Sequence, residues 1–575
     1  MKWWIVGVLL VTALAYLPML RAELVWDDPR FITEWETPKH PERWGQLFLG
    51  DSPWEHGGVY RPLRGIFYGI SWFLYHGEPG GYHVQALMVY LGITLLVIGI
   101  TQELVKDKRV AMTAGLLYGL HPVHVEGVAW VTASMDSVGV ALMLAAYWLY
   151  LRRSNRWISL SLATAAYFTN EMTLILPLLI WVTNYFFHSK RRDYIGYIIP
   201  EIIYWGLRVG VLHIVGRGSY VFGSLTKTLV FMLGVIPQYL KLLIWPVNLT
   251  VNHNLAPGVN AFFWADHNPA QAVVLSANRV VLGLAVLLVL GLLSWWGWRK
   301  KVAWVWWWGL LSIVPVMQLV PTSVLFAERY LMIGSAGFCV GLAWLIAKMG
   351  KRLGAVVVVI LALWFGYQTW RRNGDWVNNF SLWQQAIAAN PTSSSSHTNL
   401  GEAYYQEKEW DKARQEYEQA IVLNPGAAIN WTNLGIIDYQ AGKYDLAKQV
   451  YEQALKAEPN YPQALLYLGV WYQQRGEWDK ARELYQQAMA IRPGYSQAVN
   501  YLAMTEHQMG NFGLAEQEYR QAIEYQSNYA DAYNNLGNLY RDMGRMDEAK
   551  ASYLQALRLD PTHLFAKKNL EEVVE

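Results

Sequence analysis

The chain has 575 residues, of which 54% are apolar and 16% charged, against about 25% charged in ordinary soluble domains. That balance excludes a wholly soluble or disordered protein. Residues 1–373 hold 30 Lys+Arg and 18 Asp+Glu while 374–575 hold 17 and 26, so a basic hydrophobic half of +12 adjoins an acidic half of −9.

A bilayer core about 30 Å thick needs about 20 mostly apolar residues per helix. Eleven candidate spans follow in order: 3–20, 82–102, 110–120, 135–151, 157–169, 172–187, 194–215, 272–298, 302–320, 330–347 and 353–370. Lys2 ahead of an apolar run resembles a signal peptide, but no clean small-residue cleavage site follows and the run meets Arg21, so a retained first helix is expected. Five connections carry three basic residues each: Lys106, Lys108 and Arg109; Arg152, Arg153 and Arg156; Lys190, Arg191 and Arg192; Arg299, Lys300 and Lys301; Lys348, Lys351 and Arg352. The positive-inside rule makes these turns cytoplasmic, and eleven crossings then put the second half in the periplasm or an organelle lumen. Segment 229–247, with Pro237, Lys241 and Pro246, is expected to be interfacial or re-entrant, because one more crossing would break the charge pattern.

The first external loop reads Val25-Trp26-Asp27-Asp28-Pro29. Neighbouring carboxylates repel and raise one proton affinity, which suits a general base or a cation site; a capped turn before Pro29 is the alternative. Arg61, in Tyr60-Arg61-Pro62, pairs an anion or snorkels to lipid phosphate ahead of an amphipathic stretch at 63–75. His121-Pro122-Val123-His124-Val125-Glu126 and then Asp136 gather imidazoles and acids at a membrane edge, where they are costly unless they face a cavity. As metal ligands the histidines are a weak signal, and a divalent cation is left open. Glu171 and the pair Glu328-Arg329 fall on the same outer side, and Arg208, well inside its span, is expected to meet Glu201 or a lipid phosphate. Single Cys339 permits no intrachain disulfide, and the clustered basic residues exclude a nucleic-acid partner.

Beyond residue 373 a fixed step of 34 residues appears. Leu-Gly recurs at Leu400-Gly401, Leu434-Gly435, Leu468-Gly469 and Leu536-Gly537, with Leu502-Ala503 between; Ala413 and Tyr417 begin further series at the same step. This is the tetratricopeptide pattern, in which small residues let paired helices approach, aromatics fill the gap and proline ends the second helix. Two domains are expected, 1–373 and 374–575, the latter a leading half-repeat around Trp383, Ala386 and Pro391 and five full repeats. The fold class is all-α: a polytopic helical membrane domain of about eleven spans, then an α-solenoid. Asn399, Asn433 and Asn535 recur on first helices, where amides hold a peptide backbone or are solvated positions; Tyr467 and Tyr501 interrupt them.

The order Asp27-Asp28, Tyr60-Arg61-Pro62, His121 to Glu126, Ala327-Glu328-Arg329-Tyr330 and then 34-residue repeats resembles the transmembrane and tetratricopeptide-repeat protein O-mannosyltransferases and their prokaryotic relatives, over nearly the whole chain. That family is similar to the polytopic glycosyltransferases that use a polyprenyl-phosphate sugar and carry an acidic motif in the first external loop. Asn170-Glu171 stands where relatives often have Lys-Glu, so a lysine role has no counterpart here. The short repeat array favours a bacterial relative, with the inner membrane as its place and the repeats in the periplasm.

The resemblance implies transfer of mannose or another hexose from a polyprenyl-phosphate donor to a Ser/Thr hydroxyl of a protein acceptor on the extracytoplasmic side. It implies Asp27 as base with Asp28 as fallback, and His121, His124 and Glu126 shaping the sugar or acceptor site. Arg208 and Arg329 would take the departing phosphate; Arg61, Asp136, Glu171 and Glu328 would complete the substrate site. No nucleotide site is needed, in keeping with the lack of a Gly-rich phosphate motif in a strand-to-helix setting. The rival from another class is a non-enzymatic membrane-anchored scaffold that assembles proteins or glycans. A lipid-sugar transporter would need internal symmetry that the sequence does not show.

Overall fold

The computed structural model describes residues 2–52, 60–187, 194–214, 220, 224–256, 259–261, 277–296, 303–319 and 324–574. The basic clusters Lys190-Arg191-Arg192 and Arg299-Lys300-Lys301 lie outside these residues, as do ends of the spans expected at 194–215, 272–298 and 302–320. Two compact units result: Met1–His267 with Gln271–Leu400, and Asn268–Ala270 with Gly401–Glu575. Helix Asn379–Ala389, the leading half-repeat, thus packs within the first unit.

In the first unit, helix Pro79–Val105 packs against Lys108–Gly119 and Val131–Leu151, which in turn packs on Arg156–Tyr167. Close approach needs small residues: a Cβ on Gly115 would come within 2.2 Å of the Ile98 side chain. Gly334–Lys348 lies between Lys108–Gly119 and Ala303–Ile313. A short antiparallel pair, Asn254–Ala256 with Val259–Asn260, is the strand pairing among the described residues.

Each of the eleven expected spans contains a helix, but among the described residues only four helical segments are long and apolar enough to cross a membrane: Pro79–Val105, Val131–Leu151, Leu225–Ile244 and Lys351–Asp375. The count of eleven is corrected to four on that measure. Several of the others are shortened where one end tightens into a 3-10 turn or widens into a π turn, as at Leu17–Arg21, Pro122–His124, Glu171–Ile175, Gly206–Val211 and Glu328–Leu331. Segment 229–247, expected to be interfacial or re-entrant, overlaps the third of the four, which two nine-residue helices, Leu225–Leu233 and Ile236–Ile244, form in succession. Lys351–Asp375 keeps only 17% of its apolar window inside the protein, exposing Leu353, Val356, Ile360 and Leu363, as expected where lipid is the solvent. The first unit is a membrane domain.

The second unit is a tetratricopeptide solenoid of paired helices, from Trp410–Leu423 onward through Ala530–Asp542 and Met546–Leu559, closed by Leu564–Val574. Its period has a steric origin. A Cβ on Gly435 would lie 2.4 Å from the Tyr451 ring, and Gly469 meets Tyr485 and Gly537 meets Tyr553 in the same way. The tyrosine ring fills the space that the missing side chain leaves.

Candidate active site

After the turn Leu17–Arg21 the chain runs extended to Trp26, whose φ of 58° is left-handed. Such a backbone in a tryptophan costs about 1–3 kcal/mol and must be held by its surroundings. Its ring stacks on Trp130 at 4.5 Å and meets Trp383 edge-on at 5.3 Å. The adjacent carboxylates then part. Asp28 is fully buried and accepts the backbone N–H groups of Val25 at 3.1 Å and Thr132 at 2.7 Å, so it holds the turn. Asp27 faces a cavity of about 1420 Å³. Its Oδ1 is enclosed without a hydrogen bond of good geometry, although the Trp130 indole and Thr132 hydroxyl lie close enough to favour its ionised form. Burial pushes Asp27 up to about 6, against the pull of Arg64 and Arg329; burial, reinforced by the Asp27 charge, pushes Asp28 to about 7.

Across the cavity runs a chain of alternating charge. Arg64 Nη1 lies 3.2 Å from Asp136, which Arg61 Nη1 meets at 2.8 Å; Arg61 Nε reaches Glu171 at 2.6 Å, and Arg208 Nη1 approaches Glu171 at 3.2 Å. Arg61 is the N-cap of helix Pro62–Tyr75 and Arg64 lies in its first turn, so the two guanidinium groups enter the cavity at one helix end. Of the two partners expected for Arg208, the carboxylate is Glu171 rather than Glu201, and Arg208 also bonds the Tyr204 hydroxyl at 3.0 Å. The π turn Gly206–Val211 carries Arg208, so its direction differs from the α-helical continuation of Ile195–Trp205. Arg329 also lines the cavity, ion-paired with Glu126 and 5.1 Å from the ring centres of both Trp130 and Tyr330.

Several expected site residues lie behind this wall rather than in it. His121 Nε2 donates to the Leu243 carbonyl at 3.0 Å; His124 is held by the Tyr90 hydroxyl at 2.6 Å and the Ser335 hydroxyl at 2.7 Å. Burial pushes His121 down to about 4, so the ring is a neutral packing group. Neither histidine lines the cavity, which corrects their placement at the sugar or acceptor. Glu126 accepts the N–H groups of Glu328 at 2.8 Å and Arg329 at 3.3 Å, and so aims Arg329. Glu328 accepts from Thr250 N–H at 2.6 Å and is paired with His253 at 3.0 Å and Arg372 at 3.3 Å. Sequence reasoning missed Arg64, whose signal was its spacing from Arg61, and Arg372, which lies two residues beyond the last expected span. Trp130 carried no signal; only its stacking partners mark it.

The far wall is apolar. Leu174, Leu178, Trp181, Ile202 and Val209 line it, and Trp181 and Ile202 are 47% and 63% exposed. Among the described residues no group of three or more His, Cys, Asp or Glu side chains is arranged to hold a metal ion. In the repeats, Asn433 lies beside the Tyr417 hydroxyl and Asn535 donates to Asn500 of the preceding repeat at 3.2 Å. Asn399, within the first unit, donates to the Ser395 carbonyl one turn back at 2.7 Å. Tyr467 and Tyr501 stack on Tyr451 and Tyr485 at 5.8 and 5.9 Å.

The cilia and flagella-associated protein 70 C-terminal domain family matches residues 367–533, and the tetratricopeptide repeat family matches residues 530–563. Among curated proteins, the protein O-mannosyl-transferase F38B6.6 of Caenorhabditis elegans is 24% identical over 423 residues, covering 68% of this chain and 58% of that protein. The protein O-mannosyl-transferase TMTC3 of Mus musculus is 25% identical over 412 residues, covering 62% of this chain and 43% of that protein. The chain thus spans about half the length of the curated relatives it matches. Among solved structures, YrrB, a TPR protein with an unusual peptide-binding site, is 21% identical, covering 33% of this chain and 97% of that one, with a TM-score of 0.26. The chain is a membrane protein with a tetratricopeptide domain, similar to proteins named as protein O-mannosyl-transferases.

Proposed function

We propose that the first unit is a glycosyltransferase that moves mannose or another hexose from a polyprenyl-phosphate donor to a Ser/Thr hydroxyl of a protein on the extracytoplasmic side. The observation that carries this reading is the cavity whose wall passes from Asp27 and four arginines to Leu178, Trp181 and Ile202. A lipid-linked sugar has the same division, a charged phosphate between a polar sugar and a long apolar chain. The likeness to protein O-mannosyl-transferases supports the sugar and acceptor class.

In this reading the acceptor oxygen bonds to the anomeric carbon as the bond from that carbon to the phosphate oxygen breaks. Asp27 takes the hydroxyl proton, and polyprenyl phosphate leaves. Arg208 and Arg329, each already beside one carboxylate, turn their remaining N–H groups to the departing phosphate. Asp28 holds the turn. Arg61, Asp136 and Glu171 fix the arginines around the donor, and Glu126 and Glu328 act one step behind them. Repeats lying opposite the basic turns, in a bacterial inner membrane, belong to the same reading; protease added outside sealed, right-side-out vesicles should then remove the repeats. The repeat groove, with Asn399, Asn433 and Asn535, presents acceptor polypeptide.

The test incubates the purified full-length protein with a set of radiolabelled polyprenyl-phosphate hexoses and Ser/Thr peptides. Label in the peptide with one donor is the expected result. No transfer and no donor binding with any of them would leave the membrane-anchored scaffold as the better account.

A further inference from the structure

We infer that Asn379 is a positioning residue for the Asp27 loop, so that the stretch following the last long helix belongs to the active-site framework. The inference rests on the reading of Asp27 as the general base. Helix Lys351–Asp375 ends at Trp376, and helix Asn379–Ala389 opens with a capping box. There Asn378 Oδ1 accepts the Ser381 N–H at 2.9 Å, and Ser381 Oγ accepts the Asn378 N–H at 3.2 Å. The cap therefore occupies Asn378. Asn379, one residue on, accepts the backbone N–H of Trp26 at 2.8 Å, across 353 residues of sequence.

Two further contacts join the same two segments, and a third connects them through Trp130. The Glu23 N–H donates to the Val377 carbonyl at 2.9 Å, Trp383 meets the Trp26 ring edge-on at 5.3 Å, and Trp376 stacks at 6.0 Å on Trp130, the ring that carries Trp26. What they hold is a left-handed residue that directly precedes Asp27. A tryptophan leaves that conformation when its restraints go, and the direction in which Asp27 departs from the main chain changes with it. On the other side Asp28 is pinned by the N–H groups of Val25 and Thr132. Of the two adjacent acids, Asp27 is thereby the one that lines the cavity.

The test uses the full-length protein with polyprenyl-phosphate mannose and a Ser/Thr peptide, and measures kcat, KM and the pH profile of kcat/KM. Asn379→Ala should lower kcat about 10- to 100-fold, the loss typical of a reacting group displaced by about 1 Å. KM for the donor should stay nearly constant, and the acid limb should move to lower pH as Asp27 becomes better hydrated. Asn379→Asp keeps an acceptor oxygen in place and should restore turnover, while its added charge keeps the acid limb from moving to lower pH. In an Asp27→Asn background Asn379→Ala should add little. Trp383→Leu, which removes the edge contact and leaves the capping box intact, should move the acid limb in the same direction and serves if Asn379→Ala does not fold. A merely structural role would lower the melting temperature and the active fraction with an unchanged pH profile and no rescue by aspartate; that result overturns the inference. Asp27→Asn with normal turnover would instead remove the base itself, whereas an inactive Asp27→Asn beside a normal Asn379→Ala sinks only the positioning role.

Discussion

Buried ion pairs in the two units differ in how far along the chain they reach. In the repeats Arg414 pairs with Asp438 and Arg482 with Glu506, each 24 residues on and in the next first helix. In the membrane unit Arg61 joins Asp136 across 75 residues and Glu171 across 110, and Glu126 holds the Glu328 backbone across 202. Short-range pairs recur with the period and stabilise each repeat against its neighbour, as in any solenoid. Long-range pairs form only when the whole domain is assembled, and here they surround a cavity. Charge in one unit is scaffolding; in the other it is site architecture.

The sharpest way to break that contrast is to remove the proton acceptor. Asp27→Asn should cut turnover by about 10² to 10⁴ and leave donor binding largely intact, measured by peptide labelling and lipid binding in parallel. Near-normal turnover in a folded variant would sink the assignment. The pH profile sharpens it: burial raises Asp27 to about 6, and a base works only when deprotonated, so kcat/KM should rise with pH through about 6. Asp28→Asn should instead act mainly on folding, costing about 1–3 kcal/mol, because it disturbs two buried backbone hydrogen bonds.

Next in size is the ion chain. Arg61→Ala leaves Asp136 and Glu171 short of a partner in a mostly enclosed wall and should destabilise the membrane unit by roughly 3–5 kcal/mol, read from thermal unfolding in detergent. A loss below 1 kcal/mol would mean that the chain is well hydrated and the cavity open to water.

In the repeats the expected effects are steric and smaller. Gly435→Ala places a methyl against the Tyr451 ring and should cost about 1–3 kcal/mol in the melting of the repeats, with little change in transfer to short peptides. The fourth repeat already has Ala503 at this position, so Ala503→Gly is the control and should change stability less. Smallest of all, Asn433→Ala should weaken transfer to folded protein acceptors a few-fold, about the value of one hydrogen bond, while short-peptide transfer is unchanged. Equal loss on both acceptors would count against an acceptor role for the groove.

The repeat unit was legible because each of its contacts is local. A glycine and the tyrosine sixteen residues later, as Gly435 and Tyr451, touch in every repeat that has both, so self-comparison of the sequence reads the packing directly. The membrane unit was legible in its helices and in the loops that carry Asp27, Arg61 and Glu171, since ionisable residues at an apolar edge stand out against their surroundings. Which of them meet was not. His121 and His124 looked like site residues by the same criterion, yet their ring nitrogens are taken up by Leu243, Tyr90 and Ser335 in helix packing.

The sequence by itself therefore determined the period of the solenoid, the apolar character of the first unit and the adjacent acids of the first loop. Each is set by neighbours within a few turns of helix or by composition. Only the tertiary structure decided that Asp27 rather than Asp28 faces the cavity, that Arg208 turns to Glu171, and that Arg64 and Trp130 belong to the wall. Those outcomes depend on how π and 3-10 turns re-aim side chains and on which partner a buried charge can reach across a hundred residues or more, and no local pattern records either.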